Sequence, residues 1–432
     1  MTARKRSNVC RSLALIGVFV LMQACAGRMS GDSIGLVPVS NIRSGEEILL
    51  LDTATEKVVA HMSANGKVHL IAITASGEAR HLIVSKEGVE RKEKIGAGNQ
   101  SYDYYSDLAI AEDSEGRLHA ILKGNHLIYH DGLWQSTGKS PCQLLTRAGK
   151  TLVCAHTVEG GQFKDPAAPA QVGVLGFGAG IAWWIPYRVR PSKLIVASAE
   201  DGGWSYGSVI DSISRLSAKL ETFDDVILAG DRAGIAYLFY RAHQDSTMHA
   251  CFASVPLPDS PEPTVEWLKS EGQVIMLADF PSSPVDLPSG WFVPFGNLSF
   301  AVDPQTGRAV FFARVSAGVF RWVDGVVEIQ SKRFSTPSSL PSMNGQPKKI
   351  APAGNDRFHA LVAVNDKLLY LTYRSEEWSS PIRIGEFGTP SIFLIADASI
   401  QLASDGRGFA LATWPKRDGS LVGRWITLNV QP

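Results

Sequence analysis

The sequence predicts an all-β chain folded as a single β-propeller of seven four-stranded blades, with six as the alternative count. Three observations carry this. A unit of roughly fifty residues recurs along the chain. Forty glycines and twenty-three prolines punctuate short runs of Val, Ile, Leu and Phe, a pattern of many strands and turns. One strand-like segment is left over ahead of the first unit, where a ring would need it.

The N-terminus is set apart from the fold. Arg4, Lys5, Arg6 and Arg11 precede the apolar run "LALIGVFVLM" (Leu13 to Met22), too short for a bilayer core that needs about 20 helical residues. Residues 1–24 are therefore expected to be a signal peptide. The following "LMQAC" resembles the lipobox of bacterial lipoproteins, which implies lipidation at Cys25; an ordinary signal peptide cut near "ACA" is the other reading. Ala26 follows where inner-membrane retention would favour aspartate, so the resemblance implies an outer-membrane lipoprotein, periplasmic or surface-exposed. Residues 25–45 are then anchor and linker, and 46–432 the propeller. Without residues 1–24, which hold four basic and no acidic residues, the formal charge is 42 − 4 = 38 basic against 42 acidic, or −4. That balance leaves no basic stripe for nucleic acid, and contact with the membrane is expected through the anchor alone.

"EEILLLD" (Glu46 to Asp52) comes next. It is expected to pair with the last three strands and complete the final blade, because an open apolar edge there would invite aggregation. The repeat follows as "VVAHMSANGKVHLIAITASGEARHLIV" from Val58 and "SDLAIAEDSEGRLHAILKGNHLIYHDGLW" from Ser106. A weaker copy, "CQLLTRAGKTLVCAHTV", starts at Cys142; further copies start at Asp225, Leu298, Lys349 and Ser399. Each has a strand, a tight turn, a second strand, a loop and a third strand. The turns are expected near Gly66, Gly116, Gly149, Gly234, Gly307, Asp356 and Gly406. His69, His119 and His359 open the second strand in three copies, and such repetition suggests a structural hydrogen bond from ring to turn rather than a metal site.

The "GKVHLIA", "GRLHAIL" and "DRFHALV" segments, with late Trp-Ser pairs in "EDGGWSYGSVI" and "YRSEEWSSPIRI", resemble the sialidase-like propeller superfamily. "SAEDGGW" (Ser198 to Trp204) has the ingredients of that family's Asp-box with different internal spacing. The family's Phe/Tyr-Arg-Ile-Pro marker is missing, since "IPYRVRP" (Ile185 to Pro191) has another order, so no catalytic residues carry over. The chain also lacks HExxH, GxSxG, Walker A and paired CxxC patterns. No cofactor and no metal site is expected.

In a propeller, the loops leading into each first strand gather at one end with those joining second to third strands, and ligands bind there. The largest irregularity is an insertion from about Val158 to Pro191. It carries Trp183, Trp184, Tyr187, Arg188 and Arg190, suited either to stacking on a sugar and gripping an anion or to covering a blade edge. Tyr102, Asp103 and Tyr104 lead into the second blade, and Asp224 and Asp225 hold the equivalent place two blades on. Cys142 and Cys154 are equidistant from Ala148, so they read either as a cross-strand disulfide or as two small buried residues. The function expected is a lipid-anchored envelope protein binding a carbohydrate or a protein partner without catalysis. The alternatives are a glycan hydrolase with a divergent acidic site and a scaffold subunit of an envelope assembly.

Overall fold

The computed structural model describes residues 42–95, 108–139, 144–158, 162–164, 171–175, 180–184, 187–189, 192–200, 203–205, 209–213, 223–244, 247–256, 273–276, 298–316, 322–330, 333–334, 338–340, 345–388 and 399–428. Residues 1–24, expected to be a signal peptide, and Cys25 lie outside them. Strand β1 (Ile42–Leu51) precedes the first sheet, which is β2 (Thr55–Met62), β3 (Val68–Thr74), β4 (Ala79–Ser85) and β5 (Gly88–Lys94). The second sheet is β6 (Leu108–Glu112), β7 (Leu118–Leu122), β8 (Asn125–His130) and β9 (Leu133–Lys139).

The third sheet opens with β10 (Leu144–Ala148) and β11 (Thr151–Val158). Two short ribbons follow, formed by β12 (Gln162–Lys164), β13 (Gln171–Leu175), β14 (Gly180–Trp184) and β15 (Tyr187–Val189). The sheet then resumes with β16 (Ser192–Glu200), β17 (Gly203–Ser205) and β18 (Val209–Ile213). The fourth sheet is β19 (Phe223–Gly230), β20 (Ile235–Gln244), β21 (Thr247–Pro256) and β22 (Gln273–Met276). The fifth is β23 (Leu298–Val302), β24 (Ala309–Ser316), β25 (Trp322–Gln330), β26 (Arg333–Phe334) and β27 (Ser338–Ser339). The sixth is β28 (Gln346–Gly354), β29 (Arg357–Val364), β30 (Lys367–Arg374), β31 (Glu377–Trp378) and β32 (Ile382–Glu386). The seventh runs β33 (Gln401–Ser404), β34 (Phe409–Pro415) and β35 (Leu421–Leu428), with β1 added outside β35.

The described residues thus form seven antiparallel sheets of four or five strands. In the third, fifth and sixth, the fourth position is split into two short strands on the same partner, where uniform four-stranded units were expected. The first strands neighbour one another in a cycle, β2 to β6, β10, β19, β23, β28, β33 and back to β2. This is a β-propeller. The weak copy at Cys142 builds a sheet of its own, because β10 and β11 find their third strand only beyond the insertion.

Burial follows the radial order. Strand β3, "VHLIAIT", is buried throughout because a sheet lies on each side of it, whereas outermost β5, "GVERKEK", alternates with charge. Apolar seams join consecutive sheets. Ile71, Ile73 and Ala79 of the first sheet meet Leu108, Ile110 and Leu118 of the second. At the other end of the chain, Ile384 and Phe387 meet Trp414, Val422 and Ile426.

The ring closes as the sequence predicts, through antiparallel pairing of β1 with β35. The strand is longer than "EEILLLD", starting at Ile42 inside the expected linker. Leu50 and Leu51 are fully buried against Leu70, Leu411, Leu421 and Trp425. The Trp425 indole N–H donates to the Ser85 carbonyl at 2.9 Å, tying the seventh sheet to the first.

All seven turn residues named from sequence have positive φ, from 56° at Asp356 to 92° at Gly234. These turns interlock around one end of the ring. The Gly149 amide donates to the Asp231 carbonyl at 2.7 Å and the Arg232 amide to that of Pro304 at 3.1 Å. The Arg147 guanidinium reaches the Asp113 carbonyl at 2.9 Å, and Arg308 that of Asp356 at 3.2 Å. Gly230 sits where a Cβ would overlap the Arg147 backbone. Gly230→Ala is expected to cost about 1–3 kcal/mol through overpacking, read as a lower urea midpoint. Gly66→Ala, at positive φ in open space, is expected to lose only about 1–2 kcal/mol from the left-handed backbone.

Candidate functional site

Within each sheet strands alternate in direction, so the link from second to third strand lies at the end where the first strand begins. The insertion between β11 and β16 is such a link. Instead of an irregular loop it forms two consecutive ribbons: Phe163 pairs with Arg188 and Lys164 with Tyr187, then Gln171 with Trp184 and Val172 with Trp183. Four of the predicted residues are therefore on strands of one arm. Arg190 lies outside the described residues, as do Tyr102, Asp103 and Tyr104, which precede β6.

Asp224 and Asp225 are not on a loop. They fall within β19, Asp224 opposite Arg241, with a bulge before Ile227. Ten-residue β20 is long enough to carry the pairing back to Phe223, which extends the strand past the sequence boundary. Cys154 is fully buried and disulfide-bonded. The residue facing it across the hairpin is Leu145, not Cys142, because the turn pairs Ala148 with Thr151. Cys142 itself lies outside the described residues.

The densest chemistry among the described residues is in the seams on either side of the second sheet. His69 on β3 and His81 on β4 are diagonal neighbours, with Nδ1 of His69 3.0 Å from Nε2 of His81 and near-parallel rings 5.2 Å apart. His119 on β7 and His126 on β8 repeat this at 3.0 Å and 5.2 Å. A carboxylate can only accept, which fixes the protons in both ladders. Nδ1 of His81 lies 2.8 Å from Glu93 and must donate to it, so its Nε2 accepts from His69. Nε2 of His119 lies 2.9 Å from Asp113 and must donate, so its Nδ1 accepts from His126. Nδ1 of His126 then accepts from the Thr137 hydroxyl at 2.7 Å. One ladder ends on the outermost strand and the other on an inner turn.

Sheet two grips sheet one through the first ladder. Arg91 pairs with Glu93 at 2.7 Å and donates to the Tyr129 hydroxyl and the Gly132 carbonyl. His61 and the Ala64 amide approach Glu112 at 3.3 and 3.1 Å. The Trp134 indole N–H points at Nδ1 of His81 at 3.1 Å. That nitrogen serves Glu93 or Trp134, not both, and the shorter bond to a charge prevails.

Burial drives the His69 pKa down to about 3, aided by His81, and that of His126 to about 4, aided by His119. His81 and His119 are also lowered by burial, against the pull of Glu93 and Asp113. Burial alone would raise Asp113; hydrogen bonds from His119 and Arg117 bring it to about 2. His359, wholly buried, falls to about 3 and bonds the Tyr370 hydroxyl at 2.6 Å. Only His119 bonds a turn side chain as the sequence suggested; His69 and His359 bond rings on neighbouring strands. Between pH 6.5 and these lowered values the unfolded chain binds more protons than the native one. The stability carried by the neutral rings is therefore complete above pH 6.5 and lost as pH falls, by up to about 1.4 kcal/mol per unit per ring.

No protein-family model matches the chain. Among solved structures, polysaccharide lyase Uly1 superposes with a TM-score of 0.53 at 8% identity, over 89% of this chain and 99% of that one. Virginiamycin B lyase from Staphylococcus aureus gives 0.46 at 11%, over 90% and 99%. The β-propeller domain of Cps50 (Swd1) gives 0.44 at 10%, over 89% and 98%. At such identities the likeness carries the fold alone.

The late tryptophans of the repeat find their place in the seams. Trp134 follows a turn with positive φ at Asp131 and Gly132, Trp378 one at Ser375 and Glu376. Trp134 packs edge-on to His81, and Trp378 lies between Phe312 and Tyr373. Their pattern in the sequence marks packing between sheets.

Proposed function

We propose that this chain is a lipid-anchored envelope protein of the bacterial outer membrane, a divergent sialidase-like propeller that binds carbohydrate without a catalytic step. The observation that carries this is the arm between β11 and β16, which sets Trp183, Trp184, Tyr187 and Arg188 on two consecutive ribbons. It leaves the third sheet at the end where propellers gather their ligand-binding loops. Aromatic and arginine residues in one arm suit a sugar bearing an acidic group. The name of Uly1, a polysaccharide lyase, is consistent with that ligand class. An envelope protein as partner, or a scaffold role, would use the same end.

The test is a glycan array probed with the chain from Ala26, beside a Trp183→Ala, Trp184→Ala, Arg188→Ala variant. Binding by the parent and at least a tenfold loss in the variant is the expected result. Silence of the parent across the array would reject carbohydrate as the ligand. Appearance of new reducing or unsaturated ends in bound glycans would instead establish the hydrolytic or lytic alternative.

A further inference from the structure

The two histidine ladders lie in consecutive seams. His69 shares its face of β3 with Ile71 and Ile73, which pack on the second sheet. His119 shares its face of β7 with Ile121, which packs on Leu145, Leu152 and Cys154 of the third. Both ladders are complete when neutral. In each pair two ring nitrogens 3.0 Å apart share one proton, so the next proton falls on the outer nitrogen of the donor ring and leaves a charge buried in the seam.

We propose that these seams form a proton-operated switch: acidification puts an imidazolium into each buried ladder and loosens the second sheet from its neighbours while the rest of the ring stays closed. Around the first pair stand His61 from β2, Arg91 and Glu93 from β5, Glu112 from β6, and Tyr129 and Trp134 from β8 and β9. Lys67 is engaged by Glu90 at 2.6 Å. Around the second stand Asp113 and Arg117 in the inner turn, with Arg147 from β10 on the Asp113 carbonyl. Glu93 and Asp113 are already occupied by one donor ring each and by Arg91 and Arg117. A new proton therefore arrives where no free carboxylate awaits it. On the first ladder it lands on His69, beside His61 on the paired strand. On the second it takes Nδ1 of His126, and the Thr137 hydroxyl must turn from donor to acceptor there, its own proton going to the His126 carbonyl at 3.2 Å. The seams are vulnerable because Trp134 already competes with Glu93 for His81. Once the ring turns from Glu93, the Arg91 clasp across the seam loses its anchor.

Hydrogen exchange of the chain from Ala26, followed by mass spectrometry from pH 8 to 4.5 and corrected for intrinsic rates, tests this. Peptides covering 68–94 and 118–139 are expected to lose protection below pH 6.5, about tenfold per pH unit for each proton taken up, with a combined slope approaching four for the four lowered rings. Peptides covering 409–428 should hold. His69→Asn keeps a donor at the Nδ1 position and His126→Gln one at Nε2, and neither residue titrates. The double variant is expected to match the parent within about threefold at pH 8 and to lose protection below pH 6.5 with about half the parent's slope, from His81 and His119 alone. Parallel loss in all peptides, or a slope in the double variant equal to the parent's, would overturn the switch. If the double variant does not fold, each single variant is expected to flatten the pH response of its own seam only, and an unchanged response in both overturns it equally.

Discussion

Leu50→Asp is expected to abolish cooperative unfolding of the propeller. Leu50 lies on β1, the only strand of the seventh sheet that comes from the start of the chain, and its side chain is fully buried. It packs in the seam shared by Leu70, Leu82, Leu411 and Leu421. Truncation to alanine would cost about 2–5 kcal/mol. Aspartate adds the burial of an unpaired charge, which brings the loss to the order of the whole stability of a domain, about 5–15 kcal/mol. With β1 expelled, β35 becomes an open apolar edge. Leu49, one residue earlier, is 54% exposed, so Leu49→Asp should stay within about 0.5 kcal/mol of the parent. Urea titrations followed by far-UV circular dichroism separate the two. A shared midpoint for Leu49→Asp and Leu50→Asp would show that β1 does not close the ring.

The second large effect is expected at Trp414, which among the described residues heads the fully buried side chains by size. Its ring fills the seam between the sixth and seventh sheets, so close to Gly385 that a Cβ there would overlap it. The indole N–H donates to the Glu386 carbonyl at 3.1 Å. Trp414→Ala should cost about 3–5 kcal/mol. Trp414→Phe should cost less, retaining most of the packing while leaving a carbonyl unpaired at about 1–3 kcal/mol. A loss below about 1 kcal/mol for the alanine variant, measured from urea midpoints, would mean that the seam collapses onto the vacated space.

Much of the fold was legible before any coordinates. Gly66, Gly116, Gly149, Gly234, Gly307 and Gly406 marked their turns because a tight turn between strands needs positive φ, a local demand met by a local residue. The leftover apolar segment ahead of Val58 marked ring closure because an unpaired apolar edge is unfavourable. The register of the Cys154 hairpin was missed: two positions equidistant from a guessed centre face each other only if the turn has the assumed length. Asp224 and Asp225 look like loop in the sequence because nothing local shows that β20 continues far enough to pair with them.

The sequence by itself determined the recurring unit, its turns and the closing strand, since each follows from short-range patterning and from the need to bury apolar faces. It also showed that His69, His119 and His359 occupy one position. Only the tertiary structure decided what that position does. Phe409 fills it in the seventh sheet and packs on Trp425, whereas His69 and His119 each meet a second ring from the next strand. The partners that make the first ladder consequential, Glu112 for His61 and Trp134 for His81, are 51 and 53 residues away in sequence. Such contacts depend on how one sheet is seated against the next, and no periodicity within a strand encodes that seating.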